Sequence, residues 1–537
     1  MSAADVTPKA ESDAARASGG GAALLVFLGI FLSKVAGLVR QKAMAHFLGS
    51  SVAADAFNAA FRIPNFLQNM FGEGALSASF IPVYAGLLAR GENEEADQVA
   101  GAVGALLALV SAVLVGIGVA TAPSLVWAIA PGFQGETAVL AVDLVRILFP
   151  GAGLLVVSAW CLGILNSHRK FLLSYTAPVI WNVAMIAALL AFGARESTEA
   201  LARTLAIASV VGSALQFLVQ VPPVLRFAPR LRPALALGNV HVQSVVRNFG
   251  PAFVGRGVMQ ISSYIDAMLA SLLPSGSVAL FGYSQALYLL PVSLFGSAVS
   301  ASELPAMSSA TGTDAEIAAW LRSRLDGGLR RIAYFVIPSA VVFVLLGDTV
   351  TAALFQSGQF QHDDTLRVWA TLAGSSVGLL AQTWGRLYSS TFYALGDTKT
   401  PLRTAMIRVA LTGGLGWWMA TRLPGVLGID ATWGIAGLTA SAGMAGWVEY
   451  TLLKHFLDRR LGRTGLPGGT VARLWVAAGL SGALAFGLKW LCVGLHPVVA
   501  AMLVLAPFGV AYLGVTRAMG FLEADPILRR LGRRLGR

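Results

Sequence analysis

Hydrophobic residues in this chain gather into runs of about 20, enough for a helix rising 1.5 Å per residue to cross the hydrocarbon layer of a bilayer. Polar and charged residues collect mainly in the short stretches between runs. Fourteen such segments are predicted, at 22–48, 56–88, 99–127, 137–164, 171–193, 202–224, 242–272, 277–307, 331–356, 366–394, 402–422, 431–453, 471–493 and 497–519. No sustained series of ten-residue alternating segments occurs, which excludes an outer-membrane barrel. The pattern is that of an all-α polytopic protein of the inner-membrane type.

Composition agrees. Of 537 residues, 56% are hydrophobic and 12% charged, about half the charged fraction of an ordinary globular chain. A soluble enzyme could not bury that much apolar surface. The net charge of +12 sits at helix ends and in short loops, so membrane topology accounts for it and nucleic acid is not implied. Basic clusters fall on alternate loops, at Arg169/Lys170, Arg226/Arg230/Arg232, Arg322/Arg324/Arg330/Arg331, Lys399/Arg403 and Lys454/Arg459/Arg460/Arg463. They continue into a C-terminal tail, 521–537, with Arg529, Arg530, Arg533, Arg534 and Arg537. Both termini are therefore expected in the cytoplasm. Residues 1–20 are polar or small and read as a disordered tail. The apolar run after them lacks a clear cleavage site and reads as a first transmembrane helix. Cys161 and Cys492 lie in apolar segments and read as small buried hydrophobes.

A sequence echo suggests duplication. Ser77-Ala78-Ser79-Phe80-Ile81-Pro82 recurs as Ser300-Ala301-Ser302-Glu303-Leu304-Pro305, an offset of 300 − 77 = 223 residues and six segments. Six is even, so both copies would cross in the same direction. Two parallel six-helix lobes follow, 21–225 and 226–457, with two further helices over 458–520.

Charges inside the segments are costly, about 2.5–3.5 kcal/mol at a helix centre, and usually face a partner or a cavity. The first two segments and their connection hold Lys34, Arg40, Lys42, Asp55, Arg62 and Glu73, and the fourth adds Asp143 and Arg146. This set fits a cationic cavity suited to phosphate or carboxylate groups. It also fits cations that extend from helix ends to the membrane surface while Asp55 pairs with one of them. The second half holds Arg247, Arg256, Asp266, Glu303, Arg386 and Arg408; Arg256, Asp266 and Arg386 are its cavity candidates. Glu449 and Lys489 read more simply as helix-interface residues. Pro64, Gly72 and Gly74 in one half, and Pro291, Gly296 and Pro305 in the other, mark places where a helix can bend. The chain has no phosphate-binding loop ending in Gly-Lys-Ser/Thr, and its six histidines are dispersed. The residues leave open whether any metal binds.

Ala53-Ala54-Asp55-Ala56-Phe57, Phe61-Arg62-Ile63-Pro64-Asn65-Phe66-Leu67, Glu73-Gly74-Ala75-Leu76-Ser77 and Phe392-Tyr393-Ala394-Leu395-Gly396-Asp397-Thr398-Lys399-Thr400-Pro401 resemble motifs of the MurJ/MviN family. These are lipid II flippases of the MOP exporter superfamily. The resemblance implies a fourteen-helix, two-lobed transporter, not an enzyme. Such a protein moves the undecaprenyl-linked peptidoglycan precursor from the cytoplasmic to the periplasmic leaflet by alternating access. It also implies a cationic cavity for the headgroup and a lipid-tail groove involving the last two helices. By the same resemblance Lys34, Arg40 and Arg62 are substrate contacts, Asp55 is their organiser or gate partner, and Glu73 is the motif acid. No cofactor is implied, and a coupling cation and the membrane potential are the candidate energy sources. The partners would be lipid II, membrane lipids and proteins of envelope synthesis.

The chain departs from the family pattern in several places. Gln68-Asn69 stands where the family has a basic pair, and Arg40-Gln41 where it has Arg-Asp. Gln285, Ala286 and Leu289 replace charges expected before Pro291, and Thr412-Gly413-Gly414-Leu415-Gly416 replaces polar ligands of sodium-binding members. These departures leave two alternatives beside lipid II transport: a flippase for another undecaprenyl-linked saccharide, and a non-transporting scaffold of envelope synthesis.

Overall fold

The computed structural model describes residues 28–29, 31–309 and 311–525. Residues 31–48 (α1) are followed by α2 (Val52–Asn69), α3 (Ser77–Ala89), α4 (Asn93–Ala120), α5 (Ala122–Ile129), α6 (Gly135–Ser167), α7 (Phe171–Phe192), α8 (Thr198–Phe227) and α9 (Val240–Ala270). Then come α10 (Ser277–Pro291), α11 (Ala298–Ser308), α12 (Asp314–Leu345), α13 (Gly347–Phe355), α14 (His362–Ala394), α15 (Lys399–Thr421), α16 (Leu423–Leu427), α17 (Gly434–Leu461), α18 (Gly468–Leu491) and α19 (Pro497–Ala518). The chain divides into two compact units, 1–263 and 264–537, and the division falls within α9.

Among the described residues, eight helices are long and apolar enough to cross a membrane: α4, α6, α7, α8, the run Ser277–Ser308, α12, α18 and α19. Large apolar side chains stay exposed along them, including Val113 and Ile117 of α4 and Leu480 and Leu484 of α18. Such faces suit lipid. The chain is therefore a multi-pass helical membrane protein. Over their described residues the other six predicted segments also lie on helices (α1, α2 with α3, α9, α14, α15 and α17), each carrying charges or interrupted; the start of the first segment, the tail expected over 1–20 and residues 526–537 of the basic tail lie outside the described residues.

Several predicted segments differ in form from a single helix. Segment 56–88 starts earlier, at Val52, because the Ser51 side chain accepts the Ala54 N–H and caps the first turn. It is then interrupted by a widened π turn over Met70–Leu76. Segment 331–356 begins at Asp314, where Thr313 and Glu316 form a reciprocal capping box, and it breaks at Leu346. The break comes before Asp348, whose carboxylate pairs with Lys489 of α18. The second π turn, Val292–Ser297, follows Pro291 directly. Each half of the sequence echo thus comes just after a π turn: Ser77 opens α3, and Ser300 lies in α11.

In the first unit, α3, α4 and α6 close a core around Phe80, Tyr84, Trp160 and Leu165, and Val242 and Val245 of α9 pack on it. Ser158 of α6 donates to Gln220 and accepts from Gln216 of α8, at 2.9 and 3.0 Å. Side-chain bonds of this kind hold helices together where lipid supplies no hydrophobic drive. In the second unit, α14 and α17 cross so closely that a Cβ on Gly378 would come within 2.3 Å of the Gly443 Cα. The loop between α14 and α15 carries the Gly-Asp motif. Gly396, at φ +73°, ends α14 in the left-handed conformation open to glycine. Asp397 then accepts the N–H groups of Lys399 and Thr400 at 2.9 and 3.0 Å and starts α15.

Candidate functional site

In the first unit, α1, α2 and α7 bring Arg40 together with aromatic side chains. Its guanidinium lies 5.1 Å from the centre of the Phe61 ring and 5.3 Å from that of Trp181. The two rings stack at 5.3 Å, and Phe57 extends the column below Phe61 at 5.3 Å. Trp181 is held in place by its indole N–H, which donates to the Ser209 carbonyl at 3.0 Å. The polar contact of Arg40 is Nη1 to the Met185 sulfur at 3.9 Å, and its Nε is buried without a hydrogen-bond partner. Among the described residues no carboxylate pairs with Arg40. A planar, weakly hydrated guanidinium tolerates aromatic surroundings better than an ammonium does.

The other candidates are placed differently. Lys34 lies on an exposed face of α1, Arg62 is half-buried on α2 beside Phe61, and Asp55 is 3% exposed in the first turn of α2. That position suits a carboxylate, since a helix N-terminus carries partial positive charge. The side chains of Glu73 and Arg256 lie outside the described residues. Asp143, grouped with the cavity charges on sequence, pairs instead with Arg203 of α8 at 3.4 Å.

The second unit gathers Asp266 of α9, Tyr288 of α10, Gln382 and Arg386 of α14, Arg408 of α15 and Glu449 of α17. Arg386, Arg408 and Asp266 all lie within electrostatic reach of Tyr288, whose hydroxyl donates to Gln382 at 2.9 Å. Arg408 Nε is 3.1 Å from Glu449. Arg386 is exposed, and its Nη1 donates to the Ser297 hydroxyl at 3.1 Å. Glu449 and Lys489 thus prove to be halves of ion pairs joining helices. The aromatic partners Phe61 and Trp181, and the Tyr288–Gln382 pair, carried no sequence signal distinguishing them from core. Among the described residues no group of three His, Cys, Asp or Glu side chains is placed to hold a metal ion.

Fold and site together define a polytopic helical membrane protein in which Arg40 and Arg386 have no ion-pair partner among the described residues. A family model described as "Lipid II flippase MurJ" matches residues 44–514. The Burkholderia cenocepacia lipid II flippase MurJ is 33% identical over 520 residues, covering 94% of this chain and 98% of that protein. A Haemophilus influenzae protein named as a probable lipid II flippase MurJ is 33% identical over 390 residues, 70% of this chain and 76% of the relative. The chain belongs to the MurJ family. In fold it is similar to the solved structure "Lipid II flippase MurJ, inward closed conformation", with a TM-score of 0.75, 23% identity and coverage of 92% and 98% of the two chains. An inward-facing multidrug resistance MATE family transporter of the MOP superfamily superposes with a TM-score of 0.63 at 17% identity, over 80% of this chain and 94% of that one.

Proposed function

We infer that this chain is a lipid II flippase, a transporter that carries the lipid-linked peptidoglycan precursor across the inner membrane. Family membership supports this, and one observation ties it to chemistry: Arg40, half-buried against aromatic rings, has no carboxylate partner among the described residues. A buried cation without a counter-ion is costly unless a ligand supplies the charge. The pyrophosphate of an undecaprenyl-linked precursor does so. Lys34, Arg40 and Arg62 contact the headgroup, Asp55 and Glu73 organise those contacts, and Arg256, Asp266 and Arg386 are the candidates for a second-lobe cavity.

The proposed topology has fourteen crossings, in lobes 21–225 and 226–457 followed by two helices over 458–520, with both termini cytoplasmic. Transport runs by alternating access. A cation gradient or the membrane potential drives it, the latter worth about 2.3 kcal/mol per charge per 100 mV. The last two helices contribute the lipid-tail groove.

The test is reconstitution in liposomes with labelled lipid II and, in parallel, a second undecaprenyl-linked saccharide, with headgroup exposure followed at the far leaflet. Lipid II is expected to move under an imposed ion gradient or potential. Movement of only the second lipid, or of neither, overturns the assignment.

A further inference from the structure

In the second unit two arginines, Arg386 and Arg408, lie near one glutamate, Glu449. Gly296 lets the π turn Val292–Ser297 lie directly against α14, since a Cβ there would come within 2.8 Å of Thr383. One turn further along α14, Arg386 donates to Ser297, the last residue of that π turn. Glu449 is within electrostatic reach of both Arg386 and Arg408. Its carboxylate nevertheless pairs with Arg408 on α15, at 3.1 Å, and among the described residues the hydrogen-bond partner of Arg386 is a neutral hydroxyl. Asp266 lies in the same neighbourhood.

We propose that Arg386 and the Ser297 hydroxyl form a second phosphate-binding contact, and that Arg408 is the positioning residue that keeps it open by holding Glu449. The proposal rests on the lipid II transport assigned above and adds to it a charge-sorting device. A guanidinium neutralised by a neighbouring carboxylate has little left for a phosphate, whereas one resting on a hydroxyl can exchange that weak bond for a charge-assisted one. Arg386 thereby supplies, from α14, a cation beside the bent segment whose own positions 285, 286 and 289 are Gln, Ala and Leu. The ligand chemistry is a phosphate or pyrophosphate group, free or attached to a lipid.

The test uses the full chain, with calorimetric binding of inorganic pyrophosphate and proteoliposome transport of labelled lipid II. Arg386→Gln is expected to weaken pyrophosphate binding about tenfold or more, the usual range for a lost charge-assisted hydrogen bond. Arg408→Gln is expected to weaken it comparably although Arg408 does not touch the ligand, because Glu449 turns to Arg386. The double variant Arg408→Gln/Glu449→Gln is expected to recover to within about threefold of the unaltered protein, an interaction term that a merely structural role does not produce. A double variant that folds with an unchanged melting temperature yet binds as weakly as Arg386→Gln overturns the proposal, even if Arg408→Gln alone does not fold. Lipid II competing with pyrophosphate identifies the lipid-linked source, and pyrophosphate binding without competition restricts the site to free anion and overturns its role in transport. Failure of the unaltered protein to move lipid II sinks the transport assignment instead, and the pyrophosphate pattern still decides the site.

Discussion

Glu303 of α11 offers a quantitative test of how this fold handles a buried charge. Its side chain is about 4% exposed and is held by two arginines of α12, Arg324 and Arg331, each at 3.2 Å. The arginines are 40% and 50% exposed. Removing either one leaves the carboxylate with the other, and the lost arm was half in solvent, so Arg324→Ala or Arg331→Ala should each cost about 1 kcal/mol. Removing both strands a desolvated carboxylate, at about 3–5 kcal/mol. The double variant should therefore exceed the sum of the singles by about 1–3 kcal/mol. Glu303→Gln, which frees two arginines into solvent and leaves no buried charge, should cost only about 1 kcal/mol. Reversible denaturant unfolding of the protein in mixed micelles, followed by tryptophan fluorescence, measures all four. Additivity within about 0.5 kcal/mol would refute the idea that burial of Glu303 makes the pair cooperative.

Three further predictions concern other parts of the molecule. Gly378→Ala forces a Cβ against the Gly443 backbone and should cost about 1–3 kcal/mol, whereas Gly413→Ala on α15 meets nothing within 4 Å and should gain up to about 1 kcal/mol; equal melting temperatures for the two contradict the close crossing. Asp397, held down to about 2 by the Thr400 N–H and hydroxyl and by Arg460, titrates near about 3.9 when unfolded. Its stabilisation is thus complete above that value and is lost as pH falls through about 2. Asp397→Asn should melt below the unaltered protein at neutral pH, with the gap narrowing on acidification, and a gap independent of pH refutes the assignment. Trp181→Leu should lower lipid II transport at equal protein abundance by about fivefold or more, the worth of a desolvated cation–π contact of about 1–2 kcal/mol, while Trp181→Phe retains most of the rate; equal losses in both variants remove Trp181 from the site.

What could be read from sequence follows from what composition encodes. Apolar runs mark membrane helices because insertion depends on summed side-chain transfer, which does not need tertiary context. The two π turns left no such mark, since a shift in backbone hydrogen-bond register changes no side chain; Pro291 precedes one directly, and glycines 72 and 74 lie inside the other. The break at Leu346 was signalled only by Asp348, a charge in an otherwise apolar run whose partner Lys489 lies 141 residues away. Partner choice was the least legible property. Six positions separate Lys34 from Arg40 on one helix, yet one is exposed and the other lies against two rings contributed by α2 and α7.

The charged residues of the candidate site do not sit on the helices that composition alone qualifies for the membrane. Lys34 and Arg40 lie on α1, Asp55 and Arg62 on α2, Glu73 in the π turn after it, Arg256 and Asp266 on α9, and Arg386 on α14. None of these elements is among the eight that are both long and apolar enough, and neither are α15 and α17, which supply Arg408 and Glu449. Charge lowers the apolar score of a helix, and charge retained in a membrane helix must be compensated by a partner or used on a ligand. Ion pairs account for Arg408, Glu449, Asp348 and Lys489. Among the described residues Arg40 and Arg386 have no such pair, and one lies in each unit. On the function proposed above, these are the guanidinium groups left for a pyrophosphate.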